Sequence, residues 1–415
     1  MMYTTKSKVK IAIIGGGAAG LAAAISAANA GGNVTVFERN EKLGRKLRIT
    51  GKGRCNVTNE CDINEFLQNV PSNPRFLYSA LNRLSPTDTI ALFESFGVPL
   101  KVERGRRVFP VSDNANDIAD AMKKECGRLG VRIIREKVFS VAVAEDSCFE
   151  IELKNEKIKF DSVIIATGGI SYPKTGSDGD GYRFAKELGH TVTELKPSLV
   201  PLVAGGICAD CQGLSLKNIS FSVKDQNGKK IYEDFGELMF THFGLTGPVV
   251  LSASAHIPDI APKKYTAEID LKPALDEKKL DVRILSDFEK YSNKDFCNAL
   301  SDLLPQKLQE PIIALSGIDS RKKVNEITKA ERLNLVHVIK HLKIPLLRHR
   351  PIDEAIITKG GVSVKEIDPK TMESKLVKGL FFAGEVIDVD AYTGGFNLQI
   401  AFSTGTLAGE SAAWI

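Results

Sequence analysis

A glycine-rich turn between an apolar strand and an alanine-rich helix is the feature that most constrains how this chain folds. Residues 9–14 form an apolar, β-branched run that leads into Gly-Gly-Gly-Ala-Ala-Gly at residues 15–20. An alanine-rich stretch follows, and a second apolar run, residues 34–37, ends at Glu38. The order of strand, glycine turn, helix, strand and acid is typical of a fold that binds a dinucleotide.

The spaced glycines of this turn have different physical tasks. Gly15 permits the tight turn, Gly17 lets the backbone approach a pyrophosphate, and Gly20 lets the helix pack closely on the strand. The amino end of the helix presents free N–H groups and roughly half a positive charge to the phosphates. Glu38 follows Gly20 by 18 residues, where a carboxylate can accept hydrogen bonds from a ribose diol.

The length and the net charge of the chain argue against several other classes of protein. At 415 residues the chain is long enough for two or three domains. The net charge of +5 is small for this length, so we expect no nucleic-acid partner, although a basic pocket for an anionic cofactor is compatible with it. Residues 11–37 carry no charge, but glycines and asparagines interrupt them. We therefore expect neither a membrane span nor a signal peptide, and predict a cytoplasmic protein.

The cysteines give no sign of a disulfide framework or a metal site. Seven cysteines, an odd number, are spread along the chain, which favours free thiols in a reducing compartment. Cys208 and Cys211 have CxxC spacing, but no second CxxC completes a zinc site. We expect both to be incidental thiols, and we predict no metal.

Two further segments favour FAD over NAD as the dinucleotide. An apolar strand at residues 163–166 runs into a second glycine turn, Thr167-Gly168-Gly169. Near the carboxyl end, Phe-Phe-Ala-Gly-Glu at residues 381–385 is followed by Asp388, and a helix begins near Gly395. In such a segment a carboxylate reaches the ribityl chain, and the helix directs its N–H groups at the isoalloxazine. A positive end there stabilises reduced, anionic flavin.

The order of the predicted elements divides the chain into nested domains. Strands and helices alternate through residues 1–190, short β segments occupy 191–273, and helices occupy 274–342. The β pattern returns at 343–357, and a strand, a turn and a closing helix fill 358–415. We predict an α/β protein with a two-segment Rossmann-like FAD-binding domain, an inserted β domain and a helical subdomain. The predicted helices of the subdomain are residues 277–290, 294–303 and 329–340.

Four sequence segments, which together span nearly the whole chain, resemble those of one protein family. They are residues 50–59, 166–181, 240–248 and a carboxyl-terminal set at 358–362, 384–390 and 394–399. The chain resembles the bacterial flavoproteins labelled NAD(FAD)-utilising dehydrogenases, a family that includes aminoacetone oxidase and a flavoprotein of bile-acid dehydroxylation. The resemblance implies a three-domain flavoprotein with tightly bound FAD.

The resemblance also implies which positions line the cofactor. It assigns to the ADP half Gly15, Gly17, Ala18, Ala19, Gly20, Glu38 and Arg39. It assigns to the diphosphate and flavin Lys46, Gly51, Arg54 and Asn56, with Val138 at the adenine and Thr167, Gly168 and Gly169 over the nucleotide. The ribityl and pyrimidine end takes Gly384, Glu385, Asp388, Gly395, Asn397, Leu398 and Gln399.

Three side chains are candidates for substrate chemistry. His242 is the leading acid–base candidate, because imidazole is the side chain best suited to proton transfer at neutral pH, with a surface or structural histidine as the alternative. Tyr392 is a candidate to face the flavin, unless it only packs. Lys359 precedes a Gly-Gly pair and is a candidate to stabilise an anion, unless it is only a solvated lysine.

The predicted reaction follows from the flavin. We predict an FAD-dependent oxidoreductase that acts on a small organic substrate by hydride transfer through flavin N5. No second GxGxxG unit is present, so NAD(P)H would bind transiently, or the enzyme is an amine oxidase that uses oxygen. A disulfide reductase with Cys55 and Cys61 is a further alternative. So is an FAD-containing binding protein that docks a partner or RNA through basic clusters at 104–107 and 348–350. The oligomeric state is left open.

Overall fold

The chain folds as two units, each with its own hydrophobic core. The structure is a computed structural model that describes residues 8–257 and 260–415. The first unit, here the Rossmann unit, comprises Met1–Ser198 and Ala355–Ile415, and the second, the barrel unit, comprises Leu199–Glu354. The Rossmann unit is therefore built from two chain segments, and the barrel unit lies between them in sequence.

The first segment of the Rossmann unit contains eleven strands and six α-helices among the described residues. In chain order its elements are β1 (Lys10–Ile14), α1 (Ala18–Asn29), β2 (Asn33–Phe37), β3 (Thr58–Asn59), α2 (Ile63–Gln68), α3 (Tyr78–Arg83), α4 (Pro86–Ser95), β4 (Leu100–Glu103), β5 (Arg107–Pro110), α5 (Ala115–Arg128), β6 (Arg132–Ile134), β7 (Ser140–Val143), β8 (Phe149–Glu152), β9 (Lys157–Phe160), β10 (Ser162–Ile165), α6 (Asp180–Glu187) and β11 (Lys196–Ser198).

The barrel unit contributes the next ten elements, and the second segment of the Rossmann unit contributes the last three. Those of the barrel unit are β12 (Leu202–Ala204), β13 (Ser215–Asp225), β14 (Lys230–Thr241), β15 (Gly244–Thr246), α7 (Pro248–Ala255), β16 (Tyr265–Asp270), α8 (Glu277–Lys290), α9 (Gln306–Ser316), α10 (Lys329–Lys340) and β17 (Leu342–His349). The closing elements are β18 (Ile357–Lys359), β19 (Leu380–Phe382) and α11 (Phe396–Ala412).

A five-stranded parallel sheet in the order β19-β10-β1-β2-β6 organises the Rossmann unit. The four residues of β1 after Lys10 are all buried, as expected of a central parallel strand covered on both faces. Strand β19, from the second segment, pairs with β10 with Leu380 opposite Val163. The predicted Rossmann-like sheet is confirmed, and both segments contribute to it. Parallel pairing also brings the carboxyl ends of β1, β10 and β19 to one edge.

Small residues let the closing helix α11 pack tightly on α1. A Cβ atom placed at Gly405 would overlap the carbonyl oxygen of Ala19, and one at Gly409 would overlap that of Ala23. Helix α1 is alanine-rich and largely buried on this side, so the two backbones approach closely. This packing fixes the position of α11 relative to the glycine turn that precedes α1.

The barrel unit consists of a closed antiparallel barrel and a helical portion. The strand order is β12-β15-β14-β13-β16-β17, closed by the pairing of β12 with β17. Helices α8 and α10 match the predicted helices 277–290 and 329–340. None of the helices in the described residues has the length and apolar character needed to cross a membrane.

The predicted helix at 294–303 is wrong. Only a short 3-10 turn, Phe296–Asn298, forms there, and the true helix is α9. The backbone N–H of Phe296 donates to Lys322 and that of Cys297 donates to Ser320, so bonds to another segment replace helical ones. Pro311, which lies inside α9, lowers the apparent helix propensity of the segment that does fold as a helix.

Candidate cofactor site

The glycine turn after β1 has the geometry that the sequence predicted. Gly15 has a φ of +104°, and a Cβ atom there would lie 2.5 Å from the carbonyl oxygen of Ala166. A Cβ atom at Gly20 would overlap the carbonyl oxygen of Gly15. At Gly17, by contrast, no described atom lies within 4 Å of an added Cβ. Gly15 and Gly20 are required by the packing of the protein itself, whereas Gly17 borders open space.

The amino end of α1 is available to an anion. Gly17 is the N-cap residue, no described side chain caps it, and the first turn holds no acidic residue. Beside it, Glu38 is buried and accepts hydrogen bonds from the backbone of Gly16 at 2.9 Å and of Asn40 at 2.8 Å. The Asn40 amide donates to the same carboxylate at 2.7 Å. These bonds hold Glu38 at the end of β2, next to the glycine turn.

An ion-pair cluster surrounds Arg39. Its guanidinium pairs with Asp178 and lies 3.4 Å from Asp180, and Lys137 pairs with Asp180 at 2.7 Å. Burial raises the pKa of Asp178, but the bond from Arg39 lowers it, and the carboxyl is held below its usual range. Val138, the residue expected at the adenine, is buried directly after Lys137.

Lys46 and Glu385 form the centre of a network between the two segments of the Rossmann unit. The Lys46 ammonium donates to Glu385 at 2.6 Å and to the Ser171 hydroxyl at 2.8 Å. The second carboxylate oxygen of Glu385 accepts hydrogen bonds from Ser171 and from the backbone of Thr358, both at 2.8 Å. Sequence reasoning named Lys46 and Glu385 but missed Ser171 and Thr358, although both lie in the segments that carry the family resemblance.

The turn after β10 lies against this network. Gly168 has a φ of +76°. A Cβ atom at Gly169 would overlap the hydroxyl of Thr358 and lie 2.7 Å from Glu385 Oε1. A Cβ atom at Gly181 would overlap the hydroxyl of Thr167. Thr167, Gly168 and Gly169, which the resemblance assigns to the nucleotide, are thus packed tightly against the rest of the protein.

The amino end of α11 is the second uncapped helix end at this edge of the sheet. Gly395 has a φ of +100° and is pressed against the backbone of Thr58, no side chain of the described residues caps it, and no acid lies in the first turn. Gly384, two residues after β19, is in close contact with Ala19 of α1, since an added Cβ would lie 2.7 Å from the Ala19 methyl. Thr58 also donates to Gln399 at 2.6 Å. Sequence reasoning did not single out Thr58.

The loop after β2 contains one side chain with a polar atom that no described residue partners, Asn56, and one that is held by ion pairs, Arg54. The carbonyl oxygen of the Asn56 side chain is buried and has no hydrogen-bond partner among the described residues. Arg54, by contrast, pairs with Glu103 and Asp113 and lies 4.2 Å from the centre of the Phe109 ring. The bond to Glu103, followed by that to Asp113, raises the pKa of Arg54. Gly51, in the same loop, is exposed with a φ of +57°.

The side chains at the start of α11 are bound mainly within the protein. Asn397 accepts from the backbone N–H of Ala391 at 2.9 Å and donates to the carbonyl of the same residue at 2.7 Å. Gln399 is fully buried, and it donates to Leu84 and to Ser403, both at 2.9 Å. Leu398, between them, is half-buried. The amides of Asn397 and Gln399 therefore position the helix start.

Two carboxylates follow Glu385 in the chain. Burial raises the pKa of Asp388, and its backbone carbonyl accepts from Asn73 at 2.7 Å. Asp390 is fully buried, and one oxygen accepts from the Ser198 hydroxyl at 2.9 Å. None of the residues that the structure describes donates to its other oxygen. Sequence reasoning did not single out Asp390.

The three candidates for substrate chemistry lie in different units. Tyr392 and Lys359 belong to the Rossmann unit, and both are half-buried. Burial, followed by the negative charge of Asp390, raises the pKa of Tyr392. His242 belongs to the barrel unit, where it is exposed at the turn between β14 and β15 and its ring lies 5.1 Å from that of Phe243.

The cysteine thiols have little thiolate character. Burial raises the pKa of Cys55 to about 12 and that of Cys61 to about 11. Burial also raises the pKa of Cys208 to about 12 and that of Cys211 to about 11. Because the thiolate is the reactive form, dithiol chemistry at either pair is unfavourable at neutral pH.

The residues at this edge of the sheet fit FAD. Two uncapped helix ends suit a diphosphate and an electron-rich ring, and open space borders Gly17 where a phosphate would approach. The unpartnered oxygen of Asn56 is an acceptor suited to an N–H group of a flavin ring.

Comparison with known proteins identifies the family of the chain. The family described as HI0933-like protein Rossmann domain matches residues 9–411. The chain is 31% identical to a 3-dehydro-bile acid delta(4,6)-reductase of Clostridium scindens, over 97% of this chain and 99% of that protein. It is 33% identical to a ribosomal RNA dihydrouridine synthase of Haemophilus influenzae, over 94% of this chain and 95% of that protein.

Among solved structures, a 3-ketosteroid delta1-dehydrogenase from Sterolibacterium denitrificans has a similar fold. The TM-score is 0.52 with 13% sequence identity, and the match covers 99% of this chain and 100% of that chain. At this identity the likeness concerns the fold alone.

Proposed function

This chain belongs to the HI0933-like Rossmann family of FAD-dependent oxidoreductases, and we propose that it reduces a carbon–carbon double bond conjugated to a carbonyl group. NAD(P)H is the proposed electron donor and a small cyclic enone the proposed substrate. The observation that carries the proposal is the uncapped amino end of α11 at Gly395, without an acid in its first turn. A partial positive charge there favours a reduced, anionic flavin, which a reductase must hold.

The names of two full-length relatives support the choice of bond. One relative is a delta(4,6)-reductase of 3-dehydro-bile acids, and the other is a dihydrouridine synthase. A 3-oxo-4,6-diene and a uracil ring share one feature, a C=C bond conjugated to a carbonyl. Conjugation lets an electron pair added at the far carbon leave negative charge on the carbonyl oxygen, so one type of site suits both substrates.

The residues proposed to hold FAD follow from the contacts described above. Glu38 and the amino end of α1 would hold the ribose and the pyrophosphate, and Asn56 and the amino end of α11 would hold the ring system. When bound, FAD supplies the two-electron step, a hydride through N5. The Lys46–Glu385 pair would hold the two segments of the Rossmann unit together beside the cofactor.

Saturating the double bond also requires a proton, and we assign its delivery to Tyr392. Burial and the charge of Asp390 raise the pKa of Tyr392, so its hydroxyl remains a donor throughout the physiological range. Lys359 is the proposed partner of the developing negative charge on the substrate carbonyl. His242 is the alternative acid, and His242→Ala is the variant that tests it.

An anaerobic two-step assay of the FAD-loaded protein tests the proposal. The protein is first mixed with NADH or NADPH, and loss of the visible flavin band measures reduction. The reduced protein is then mixed with a 3-oxo-4,6-diene steroid, a simple cyclic enone, or oxygen. We expect one nicotinamide to reduce the flavin and an enone to reoxidise it faster than oxygen does. Reduction by small amines alone, with reoxidation by oxygen alone, would instead identify an amine oxidase.

A second candidate substrate is a uridine in ribosomal RNA. It is favoured by the 33% identity to the dihydrouridine synthase over nearly the full length of both proteins, which weakens the exclusion of nucleic acid drawn from composition. Adding protein-free ribosomal RNA as a further acceptor separates the two substrates. Reoxidation by RNA with formation of dihydrouridine, and none by enones, would assign the second.

A further inference from the structure

We propose that the barrel unit contains a binding site for a divalent transition-metal ion, with zinc as the ion that suits it, formed by Glu277, His337 and His341. One ligand atom from each residue lies within 4.8 Å of the others. The site lies in the helical portion of the barrel unit and involves none of the residues assigned to FAD. Imidazole nitrogens and a carboxylate oxygen are the ligands that zinc takes in sites with two histidines and one acid, with water completing the tetrahedron.

Local structure places the two histidines on one face. His337 lies in the last turn of α10, and His341 follows as its C-cap. The backbone N–H of His341 donates to the carbonyl of His337 at 2.9 Å, so the helical turn continues through both residues. Their ring centres are 4.7 Å apart and the planes differ by 35°. Two imidazoles four residues apart on a helix are thus presented together.

The third ligand comes from another helix whose position is fixed. Glu277 is the first residue of α8, and its Oε1 lies 3.3 Å from Nε2 of His341. Four residues further along α8, Asp281 pairs with Arg332, which lies in the amino-terminal part of α10, at 2.6 Å. This ion pair holds the two helices in the orientation that brings Glu277 to the histidines.

A further carboxylate orients one of the ligands. Glu268 of β16 accepts from Nδ1 of His341 at 3.1 Å, which leaves Nε2, the nitrogen that faces Glu277, to bind the metal. The other oxygen of Glu268 accepts from Lys224 at 2.8 Å. Lys340, the neighbouring cation, is bound to Asp270 at 2.6 Å. A neutral imidazole that donates to a carboxylate is the usual arrangement for a metal-binding histidine.

The proposed ion links α8, α10 and, through Glu268, the barrel strand β16. Its ligands carry one negative charge when both imidazoles are neutral, so a divalent ion leaves a charge of one positive unit on a largely exposed site. We infer that zinc stabilises the helical portion of the barrel unit, because binding only the folded state favours that state.

Calorimetric titration of the FAD-loaded, chelator-treated protein with zinc chloride tests this inference. We expect one equivalent per chain, and a rise in the temperature of unfolding with zinc but not with magnesium. His337→Ala and His341→Ala should each remove the binding. Glu268→Gln should weaken it by roughly 10–100-fold, the usual effect of losing a carboxylate behind a ligand.

Two matched controls identify the site. His242→Ala removes an exposed histidine of the same unit, and Cys297→Ser removes an exposed thiol; neither should change zinc binding. Circular dichroism and flavin content check that each variant is folded. Glu277→Gln is a conservative variant of an exposed ligand, and it should also weaken zinc binding. Absence of saturable binding at millimolar zinc, or unchanged affinity in the two histidine variants, would overturn the inference.

Discussion

Lys46 and Glu385 lie 339 residues apart in the sequence, yet the lysine ammonium and the glutamate carboxylate meet at 2.6 Å. The pair joins the first segment of the Rossmann unit to the second, and Ser171 and Thr358 complete its hydrogen bonds. Both charged side chains are mostly buried, so solvent screens their interaction only in part. The stability of the Rossmann unit therefore depends on this contact between its two chain segments.

Glu385→Gln should weaken FAD binding and destabilise the Rossmann unit. The substitution keeps the shape of the side chain but leaves the Lys46 ammonium without its counter-charge, at a cost of about 1–3 kcal/mol. Urea unfolding and flavin release measure the two effects. Lys157→Met, which breaks an exposed ion pair with Glu150, is the matched control and should leave both unchanged. Equal behaviour of the two variants would contradict the role assigned to the Lys46–Glu385 pair.

The glycine turn allows a sharper test, because its glycines differ in what surrounds them. Gly17→Ala should reduce FAD affinity while changing the stability of the FAD-free protein by less than about 1 kcal/mol, since a methyl group there enters open space. Gly20→Ala should destabilise the FAD-free protein by about 3 kcal/mol or more, because the methyl group overlaps the Gly15 carbonyl.

Flavin retention on gel filtration and urea unfolding of the FAD-free proteins measure this pair of variants. A Gly17→Ala protein that keeps wild-type FAD affinity would show that the phosphate does not approach that residue. A stable Gly20→Ala protein would contradict the packing of α1 on β1.

The success and the failure of sequence reasoning have a common physical basis. The tasks of Gly15 and Gly20 and the parallel sheet follow from short local patterns, so they were predictable, and the fold class and the enzyme class are confirmed. Contacts such as Thr58 to Gln399, 341 residues apart, depend on how distant segments pack, and no local pattern reports them. The same holds for residues 294–303, where bonds to residues 320 and 322 replace a helix.

The pH dependence of substrate reduction should report Tyr392. Burial, followed by the charge of Asp390, raises its pKa above the ordinary 10.0, so the hydroxyl is protonated at neutral pH and the rate should fall only at a more alkaline pH than an ordinary tyrosine would give. Tyr392→Phe should slow the oxidative half-reaction and leave reduction by NAD(P)H unchanged. Asp390→Asn removes one of the two causes of the raised pKa, so the alkaline limb should move to lower pH. An identical pH profile in Asp390→Asn would contradict this assignment.

Asp388 should make stability depend on pH in the acid range. Because burial raises its pKa in the folded protein, the protonated form favours folding. That contribution is complete below the ordinary pKa of 3.8 and is lost as the pH rises through the raised value. Asp388→Asn cannot ionise, so in the FAD-free protein it should be more stable than wild type at neutral pH and lose this advantage near pH 3.8.

Urea unfolding across that range measures the difference for Asp388→Asn. Asp146→Asn is the control of opposite sign, because a bond from Lys159 lowers the pKa of that exposed carboxyl and its loss brings no stabilisation. Lower stability of Asp388→Asn at every pH would show that hydrogen bonding, not burial, dominates at this site.

Reduction of a conjugated double bond adds two hydrogen atoms to the substrate, so mass analysis of the product detects the proposed reaction itself. The FAD-loaded protein is incubated under nitrogen with NADPH or NADH and a 3-oxo-4,6-diene steroid, in parallel with the FAD-free protein. We predict a product that has gained two hydrogen atoms, formed only by the FAD-loaded protein and only with a nicotinamide. Unchanged steroid, together with unchanged cyclic enones and unchanged ribosomal RNA under the same conditions, would contradict the proposed reduction.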